Sequence, residues 1–227
     1  LQPDTVFHFG EFSRITTSFD QFDRCWEYNM QGTRQVLDYC VEKKARLVYS
    51  ASSSKFGNQG ADENLSPYAW MKAKIVELIK NYSTWFGLEY EILYFYNVYG
   101  PGQISTGDYA TVIGIFEEQY KNNQPLTVVS PGDQSRDFTH VNDIVRGVIA
   151  GVDKGAQGEY CLGTGTSHTI FDVVKMFDHE HVMIPERTGE RLTGKADNTT
   201  AQQQLGWVPT IHLKDYIKKV KLKFYER

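Results

Sequence analysis

Two side chains with complementary acid–base chemistry stand one helical turn apart in the first half of the sequence. Tyr68 and Lys72 belong to the segment Ser66-Pro67-Tyr68-Ala69-Trp70-Met71-Lys72. A phenol has an ordinary pKa of about 10, and an ammonium group held close to it lowers that pKa by favouring the phenolate. The pair is therefore a candidate acid–base site in which Tyr68 exchanges a proton near neutral pH. The alternative is an ordinary surface pair, because a single Tyr-x-x-x-Lys match is common.

A helix has to carry this pair for both side chains to share one face. Ser66 is a favourable N-cap, and Pro67 suits the first helical position. Gly87 is a typical residue for the position after a helix end. These signals predict a helix that begins at Ser66-Pro67 and runs to Gly87.

A run of hydroxyl side chains stands upstream of the helix. Leu47, Val48 and Tyr49 predict a short buried strand, and serines follow it, among them Ser50 and Ser52. Ligands of open α/β sheets bind just beyond the carboxyl ends of the strands. A serine there can hydrogen-bond the same substrate oxygen that exchanges a proton with a tyrosine, whereas the simpler alternative is a polar loop cap.

Composition narrows the class of protein. The chain has 227 residues, 41% hydrophobic and 23% charged, with a net charge of −4, which argues against a nucleic-acid partner. No apolar run is long enough to span a membrane. Cys25, Cys40 and Cys161 have no metal-ligand spacing, and they suggest reduced thiols, no metal site and a cytoplasmic location.

Further motifs accompany the serine run and the Tyr68–Lys72 pair along the chain. In order, the segments are Asp4–Gly10, Asn29–Thr33, Ser50–Ser52, Tyr68 with Lys72, Tyr96–Gly102, Arg136–Val141, Tyr160–Gly165, Arg187–Glu190 and Leu205–Trp207. Taken together they resemble the motifs of the NAD-dependent epimerase/dehydratase family, the extended short-chain dehydrogenase/reductases that act on nucleotide sugars. The resemblance covers nearly the whole chain.

This resemblance implies an α/β fold with a Rossmann-like parallel sheet, N-terminally truncated, and a small C-terminal α/β substrate-binding domain. Residues 1–100 would form a partial NAD-binding domain, with helix 141–154 returning to it, and residues 101–227 would mainly bind the nucleotide sugar. The implied catalytic residues are Ser52, Tyr68 and Lys72. The implied NAD-binding residues are Phe9, Gly10, Asn29, Ser50, Tyr68, Lys72 and Tyr96. The implied substrate-binding residues are Ser52, Asn97, Arg136, Arg187 and Glu190.

Two of these residues carry particular expectations. Lys72 would hold the nicotinamide ribose and depress the pKa of Tyr68. Arg136 would bind diphosphate oxygens with its guanidinium fork, the alternative being a surface ion pair with Asp137. Glu11 stands where the family usually has a small residue, close to the nicotinamide side.

The implied reaction is C4 epimerisation of a nucleotide hexose through a 4-keto intermediate, with NAD as cofactor. Dehydratases of the family need a carboxylate pair after the catalytic hydroxyl residue, and Ser53 and Ser54 occupy those positions here. The alternatives are a nucleotide-sugar 4,6-dehydratase and a non-catalytic, truncated nucleotide-sugar-binding fragment.

The family's first unit, a strand followed by a Gly-x-x-Gly-x-x-Gly turn and a helix, has no counterpart in the sequence. We therefore expect a fragment, which by itself binds NAD weakly or not at all. The resemblance also predicts a homodimer through helices 19–43 and 68–87. The second of these helices offers more apolar surface than one sheet-facing stripe requires, through Trp70, Ile75, Leu78, Ile79 and Trp85.

Overall fold

The chain alternates strands and helices through most of its length in a computed structural model that describes residues 2–56, 63–189 and 191–225. In chain order the elements are β1 (Thr5–His8), α1 (Thr17–Asp20), α2 (Phe22–Cys25), a π-helical stretch (Trp26–Gln31), α3 (Gly32–Lys43), β2 (Arg46–Ser52), a 3-10 turn (Ser53–Phe56), α4 (Pro67–Phe86), β3 (Tyr90–Phe95), β4 (Val98–Tyr99), α5 (Val112–Lys121), β5 (Leu126–Val129), β6 (Ser135–Asp137), β7 (Thr139–His140), α6 (Val141–Asp153), β8 (Gly158–Leu162), β9 (Ser167–Thr169), α7 (Ile170–Phe177), β10 (His181–Ile184), a second π-helical stretch (Ala201–Leu205) and α8 (Leu213–Tyr225).

A four-stranded parallel sheet in the order β1–β2–β3–β8 organises the fold. Its strands are apolar on both faces because helices cover both sides. Leu47 and Tyr49 face α3 and α4, while Val48 between them packs on the opposite side with Ile144 of α6. The predicted α/β class with a parallel sheet is confirmed.

Strand β2 is longer than the sequence suggested. The apolar run predicted only Leu47–Tyr49, but pairing with β3 continues through Ser50, Ala51 and Ser52. Ser50 and Ser52 are therefore strand residues rather than loop residues. Backbone pairing with a buried neighbour strand has outweighed the weak strand preference of serine.

Helix α4 confirms its predicted ends. The Ser66 side chain accepts a hydrogen bond from the Ala69 backbone N–H at 3.1 Å, and Pro67 occupies the first turn. Gly87 ends the helix in a left-handed conformation with φ of 71°. The face that carries Ile75 and Ile79 is fully buried against the sheet.

The predicted helix 19–43 is interrupted. Gln21 leaves helical geometry, with φ of −116° and ψ of 45°, and residues Trp26–Gln31 form a wider π-helical stretch before α3 begins at Gly32. The π-helical stretch contains Asn29, which is fully buried. Such local widening changes which side chains a helix presents, and here it accompanies an inward-facing asparagine.

The second half of the chain adds three short two-stranded sheets, β4 with β7, β5 with β10, and β6 with β9. Helices α5, α7 and α8 pack around a separate apolar cluster that includes Phe116, Val128, Phe177 and Ile217. Strand β8 nevertheless belongs to the first sheet, beside β3. Among the described residues, no helix combines the length and the apolar character of a membrane span.

Candidate active site

Ser52 and Tyr68 meet at the carboxyl end of the parallel sheet. Ser52 is the last residue of β2 and Tyr68 the second residue of α4. Their side chains are hydrogen-bonded. The Ser52 Oγ accepts a hydrogen bond from the Ser54 hydroxyl at 2.8 Å, which leaves its own proton for the Tyr68 oxygen. The structure therefore assembles the serine and the tyrosine that the sequence singled out.

Lys72 lies one turn further along α4 and is paired with a residue that the sequence left in doubt. Its ammonium group forms an ion pair with the Glu11 carboxylate, and both side chains are 4% exposed. It also donates to the Ser50 carbonyl at 2.6 Å and to the Tyr49 hydroxyl at 2.8 Å. An ammonium group has only three donors, and all of them are used by the protein.

Glu11 is the centre of this buried network. It accepts hydrogen bonds from the Thr33 hydroxyl at 2.9 Å and from the Tyr49 hydroxyl at 3.1 Å. The His8 ring is in turn hydrogen-bonded to Thr33 at 2.8 Å. Burial lowers the pKa of Lys72 while the carboxylate of Glu11 raises it, and burial also lowers the pKa of His8. The network neutralises the lysine from which we expected a free positive charge.

The pKa of Tyr68 differs from the sequence-based expectation. Burial raises it to about 12; the hydrogen bond from Ser52 and the charge of Arg14 lower it, while Glu11 raises it further. The expectation that Lys72 depresses this pKa is wrong for this arrangement, because Glu11 neutralises Lys72. All three Lys72 donors have protein partners in this structure, and a contact of Lys72 with the nicotinamide ribose stays a prediction.

The residues predicted to face the cofactor lie along the same edge of the sheet. Phe9 is 45% exposed and contacts the Phe95 ring at 5.7 Å between centroids. Gly10 is exposed, and a Cβ atom there would meet nothing within 4 Å. A flat group could therefore approach the backbone closely at Gly10.

The remaining predicted cofactor residues support this edge from inside the protein. Asn29 donates to the Phe12 carbonyl at 3.1 Å and accepts from the Phe12 N–H at 2.8 Å, which fixes the loop after β1. The Ser50 hydroxyl donates to the His8 carbonyl at 3.4 Å. The Tyr96 hydroxyl is hydrogen-bonded to the Cys161 sulfur at 3.7 Å. Their side-chain polar groups are thus engaged within the protein.

The predicted substrate residues are only partly brought together. Arg136 on β6 is 7% exposed and donates to the Ser135 carbonyl at 2.9 Å. Asn97 stands before β4, where its carbonyl accepts from the Thr139 N–H at 3.3 Å. Arg187 is exposed on the segment after β10, and Glu190 lies outside the described residues.

Asp137 does not form the ion pair with Arg136 that we considered as an alternative. Its fully buried carboxylate accepts from the backbone N–H groups of Thr164, Gly165 and Ala196 at 2.8, 2.8 and 3.1 Å. It also accepts from the Thr164 hydroxyl at 2.6 Å. Asp137 therefore fixes the turn after β8, while the neighbouring Arg136 faces the other side of β6.

Two arginines of the site were missed from the sequence. The Arg14 guanidinium lies 5.3 Å above the centroid of the Tyr109 ring and acts electrostatically on Tyr68. Arg191 is 7% exposed and donates to the Ser53 carbonyl at 2.6 Å. Arg191 could have been suspected from its place beside Glu190, but no sequence signal marked Arg14.

Comparison with known proteins decides the family. Residues 1–163 match the family described as "NAD dependent epimerase/dehydratase". The chain belongs to this family. The predicted family, and with it the expectation of an NAD-dependent enzyme, are therefore confirmed.

Individual members of the NAD-dependent epimerase/dehydratase family are similar over most of the chain. A putative UDP-glucose 4-epimerase of Methanocaldococcus jannaschii is 33% identical over 86% of this chain and 68% of its own length. The structure of UDP-glucose 4-epimerase from Thermotoga maritima with UDP-glucose superimposes with a TM-score of 0.89 at 25% identity, covering 99% of this chain and 77% of that one. UDP-glucuronic acid 4-epimerase from Bacillus cereus, in complex with UDP-glucuronic acid and NAD, gives a TM-score of 0.87 at 25% identity, covering 98% and 76%.

The nicotinamide half of an NAD site fits the residues described. Gly10 leaves its backbone open, and Asn29 holds the neighbouring loop in place. Ser52 and Tyr68 present a hydrogen-bonded hydroxyl pair at the end of β2. Lys72 is the exception, since its donors are used by Glu11, Tyr49 and Ser50.

Proposed function

We propose that this protein is an NAD-dependent nucleotide-sugar epimerase that inverts C4 of a nucleotide hexose through a 4-keto intermediate. The observation that carries the proposal is the hydrogen-bonded pair of Ser52 and Tyr68 at the carboxyl end of the parallel sheet. It is supported by the family to which the chain belongs and by similar proteins named as UDP-sugar 4-epimerases.

In this mechanism Tyr68 exchanges a proton with the C4 hydroxyl of the sugar. Ser52 donates a hydrogen bond to the phenol oxygen and favours the phenolate. In the protein without substrate, the positive charge of Arg14 acts in the same direction. NAD, held beside Gly10 and the loop that Asn29 fixes, would supply the hydride chemistry at C4 of the sugar.

Lys72 has an indirect role in this proposal. Its contacts with Glu11, Tyr49 and the Ser50 carbonyl fix the last residues of β2 relative to α4. Because Ser52 lies on β2 and Tyr68 on α4, this arrangement keeps the serine and the tyrosine at hydrogen-bonding distance. Lys72 and Glu11 thus act as positioning residues for the proton exchange.

An epimerase is favoured over a 4,6-dehydratase by the residues that follow Ser52. Elimination of water requires an additional acid and base next to the reacting carbon. Ser53 and Ser54 stand there instead, and the Ser54 hydroxyl and N–H are both hydrogen-bonded to Ser52. The carboxylate nearest in the network, Glu11, is held by Lys72.

For substrate binding we propose Arg136, Arg187 and Glu190 for the nucleotide diphosphate, and Asn97 and Ser52 for the sugar. Arg136 and the newly identified Arg191 are both 7% exposed, which suits guanidinium groups that bind a diphosphate in a sheltered site. We also propose that residues 1–100 with helix 141–154 form the cofactor part and that residues 101–227 mainly form the substrate part. The packing of α6 beside β3 supports the return of this helix to the first part, which β8 also joins by pairing with β3.

The test is turnover of UDP-hexoses by a version of the chain that carries the family's N-terminal glycine turn, with NAD present and the products separated by chromatography. Tyr68→Phe should lower turnover by about 100-fold or more, the scale of general acid–base catalysis, with little change in substrate affinity. Tyr90→Phe, at the partly buried first residue of β3, is the matched control and should leave turnover unchanged. Equal turnover in the wild type and in Tyr68→Phe would reject the assignment of Tyr68.

We further propose a homodimer through the helices of segments 19–43 and 68–87. Ile75 and Ile79 do not contribute to this surface, because both are fully buried in the core of the chain itself. Exposed aromatic residues on the same helices support the proposal; they are Phe19, Phe22, Trp26, Tyr28, Tyr39, Trp85 and Phe86. Light scattering that gives a single-chain mass at tens of micromolar, roughly the range of weak association, would contradict it.

A cytoplasmic location is also part of the proposal. Cys25, Cys40 and Cys161 are all free, and Cys25 and Cys40 are buried. Free thiols are typical of proteins that work in a reducing compartment. Cell fractionation with detection in the cytosolic fraction would support this location, and detection in a secreted fraction would contradict it.

A further inference from the structure

Arg14 is a cation of the site with no negative partner among the residues described. No carboxylate within that part of the chain lies at ion-pairing distance from it, and its buried Nε atom has no hydrogen-bond partner there. The guanidinium lies over the face of the Tyr109 ring, 5.3 Å from its centroid. Burial lowers the pKa of Arg14, because desolvation disfavours the charged form. A partly buried guanidinium without a carboxylate partner is a favourable place for an anion to bind, because the anion would supply the missing hydrogen bonds and balance the charge.

Other buried cations have carboxylate or carbonyl partners in the protein. Arg46, at the opposite end of β2 from the site, pairs with Glu91 at 3.2 Å, although its Nε, like that of Arg14, has no hydrogen-bond partner among the described residues. Arg191 donates to the Ser53 carbonyl. Lys72 uses all its donors, as described above. The difference sets Arg14 apart from residues whose role is to hold the fold together.

The position of Arg14 limits what the anion is. Arg14 and Tyr68 influence each other electrostatically, so the guanidinium lies on the side of the reacting hydroxyl. In a nucleotide hexose the diphosphate is attached at C1, across the ring from C4, whereas C6 is attached to C5, the neighbour of C4. A carboxylate at C6 would therefore reach the side of the site where Arg14 stands. The planar fork of a guanidinium matches a carboxylate by two parallel hydrogen bonds.

We propose that Arg14 binds the C6 carboxylate of a hexuronic acid, which makes a nucleotide hexuronate the preferred substrate of this protein. The proposal rests on the proposed 4-epimerase function, which fixes C4 at Tyr68. Family membership does not decide the point, because the similar structures include one epimerase with UDP-glucose and another with UDP-glucuronic acid.

The test is calorimetric titration of UDP-glucuronic acid and of UDP-glucose, with NAD present, into the version of the chain that carries the family's N-terminal glycine turn. The wild type should bind UDP-glucuronic acid about 10-fold more tightly or better, and Arg14→Gln should weaken that binding by about 10- to 100-fold, the scale of hydrogen bonds to a charged group. The affinity for UDP-glucose should change by less than about 3-fold, since its C6 hydroxyl is neutral. Arg14→Lys should recover part of the preference, because it keeps the charge but not the fork.

Arg24→Gln is a matched control. The Arg24 guanidinium also lies over a tyrosine ring, that of Tyr28 at 5.2 Å, but on the exposed surface. This variant should leave both affinities unchanged. Rising salt should reduce the preference for UDP-glucuronic acid in the wild type and leave it unaffected in Arg14→Gln.

The outcomes separate this proposal from the function on which it rests. If UDP-glucose is bound and epimerised but UDP-glucuronic acid has no advantage, the role of Arg14 is refuted and the epimerase stands. If Arg14→Gln weakens the binding of UDP-glucuronic acid and of UDP-glucose equally, and the thermal unfolding of the variant matches that of the wild type, Arg14 binds a group common to both ligands and the proposal is wrong. If neither nucleotide sugar binds or reacts, the proposed function fails, and this inference fails with it.

Discussion

The buried ion pair of Glu11 and Lys72 should contribute strongly to the unfolding free energy, and substitutions of either residue test this directly. Both side chains are 4% exposed, and unit charges about 4 Å apart attract each other by about 4 kcal/mol at an effective dielectric constant of about 20. Removing one partner of such a pair leaves an uncompensated buried charge and costs about 3–5 kcal/mol. In the wild type, the Thr33 and Tyr49 hydroxyls donate to the charged Glu11 carboxylate. Glu11→Gln replaces this charged acceptor by a neutral amide and therefore weakens both hydrogen bonds. We expect Glu11→Gln and Lys72→Met each to lose about 3–5 kcal/mol of unfolding free energy.

The double variant separates the pair from its surroundings. Glu11→Gln with Lys72→Met replaces two charges by two neutral groups, so its loss should be smaller than the sum of the single losses by about 3 kcal/mol. In Glu11→Gln the pKa of Lys72, already lowered by burial, should fall further. The folded state then binds fewer protons than the unfolded state, so stability should rise from pH 7 towards pH 9, the range below the ordinary lysine pKa of about 10.4.

The assay is urea unfolding followed by far-UV circular dichroism for the wild type, both single variants and the double variant at pH 7 and pH 9. Glu42→Gln, which breaks an exposed pair with Lys43, is the control and should cause no measurable change. Single losses below about 1 kcal/mol, or losses that simply add, would refute the idea that this pair is buried and coupled.

Two further predictions concern the framework around the site. Ser66→Ala should lower the unfolding free energy by about 1 kcal/mol, because it removes the N-cap hydrogen bond from the Ala69 N–H. Ser66→Asp should keep most of the wild-type stability, since a carboxylate can also accept this hydrogen bond. Equal stability of the wild type and Ser66→Ala would contradict the role of Ser66 as the cap. Burial raises the pKa of Glu91 from 4.5 to about 7. The folded state therefore binds the Glu91 proton more tightly than the unfolded state does. The contribution of Glu91 to the unfolding free energy should be fully present below about pH 4.5 and should fall by up to about 3 kcal/mol as the pH rises through 7. Subtracting the pH profile of Glu91→Gln from that of the wild type isolates this contribution, and a flat difference would rule it out.

Local signals in the sequence were sufficient for the helix that carries Tyr68. Ser66, Pro67 and Gly87 act within their own turns, so the ends of α4 were predictable without knowledge of the rest of the chain. Capping by Thr169 at the start of α7 was predictable for the same reason. The end of β2 was not, because the pairing of Ser50 and Ser52 depends on β3, which comes about 40 residues later.

The electrostatics of the site could not be read from spacing. Glu11 and Lys72 are separated by 61 residues, and only the fold makes the carboxylate the partner of the lysine. A Tyr-x-x-x-Lys pattern therefore predicted the position of Lys72 but not the direction in which the Tyr68 pKa moves. Arg14 was missed because its importance lies in the lack of a partner among the described residues, and a sequence does not reveal which charges remain unpaired.

The place of β8 in the sheet has a consequence for how the chain folds during synthesis. Its neighbour β3 ends at Phe95, but β8 begins only at Gly158, roughly 60 residues later. At a translation rate of about 5–20 residues per second, β3 waits roughly 3–12 s for its second partner. During that interval the outer edge of an otherwise buried apolar strand is open to pairing with another nascent chain. Ribosome-bound chains that end before Gly158 should therefore bind chaperones or aggregate, and chains that extend past Leu162 should not.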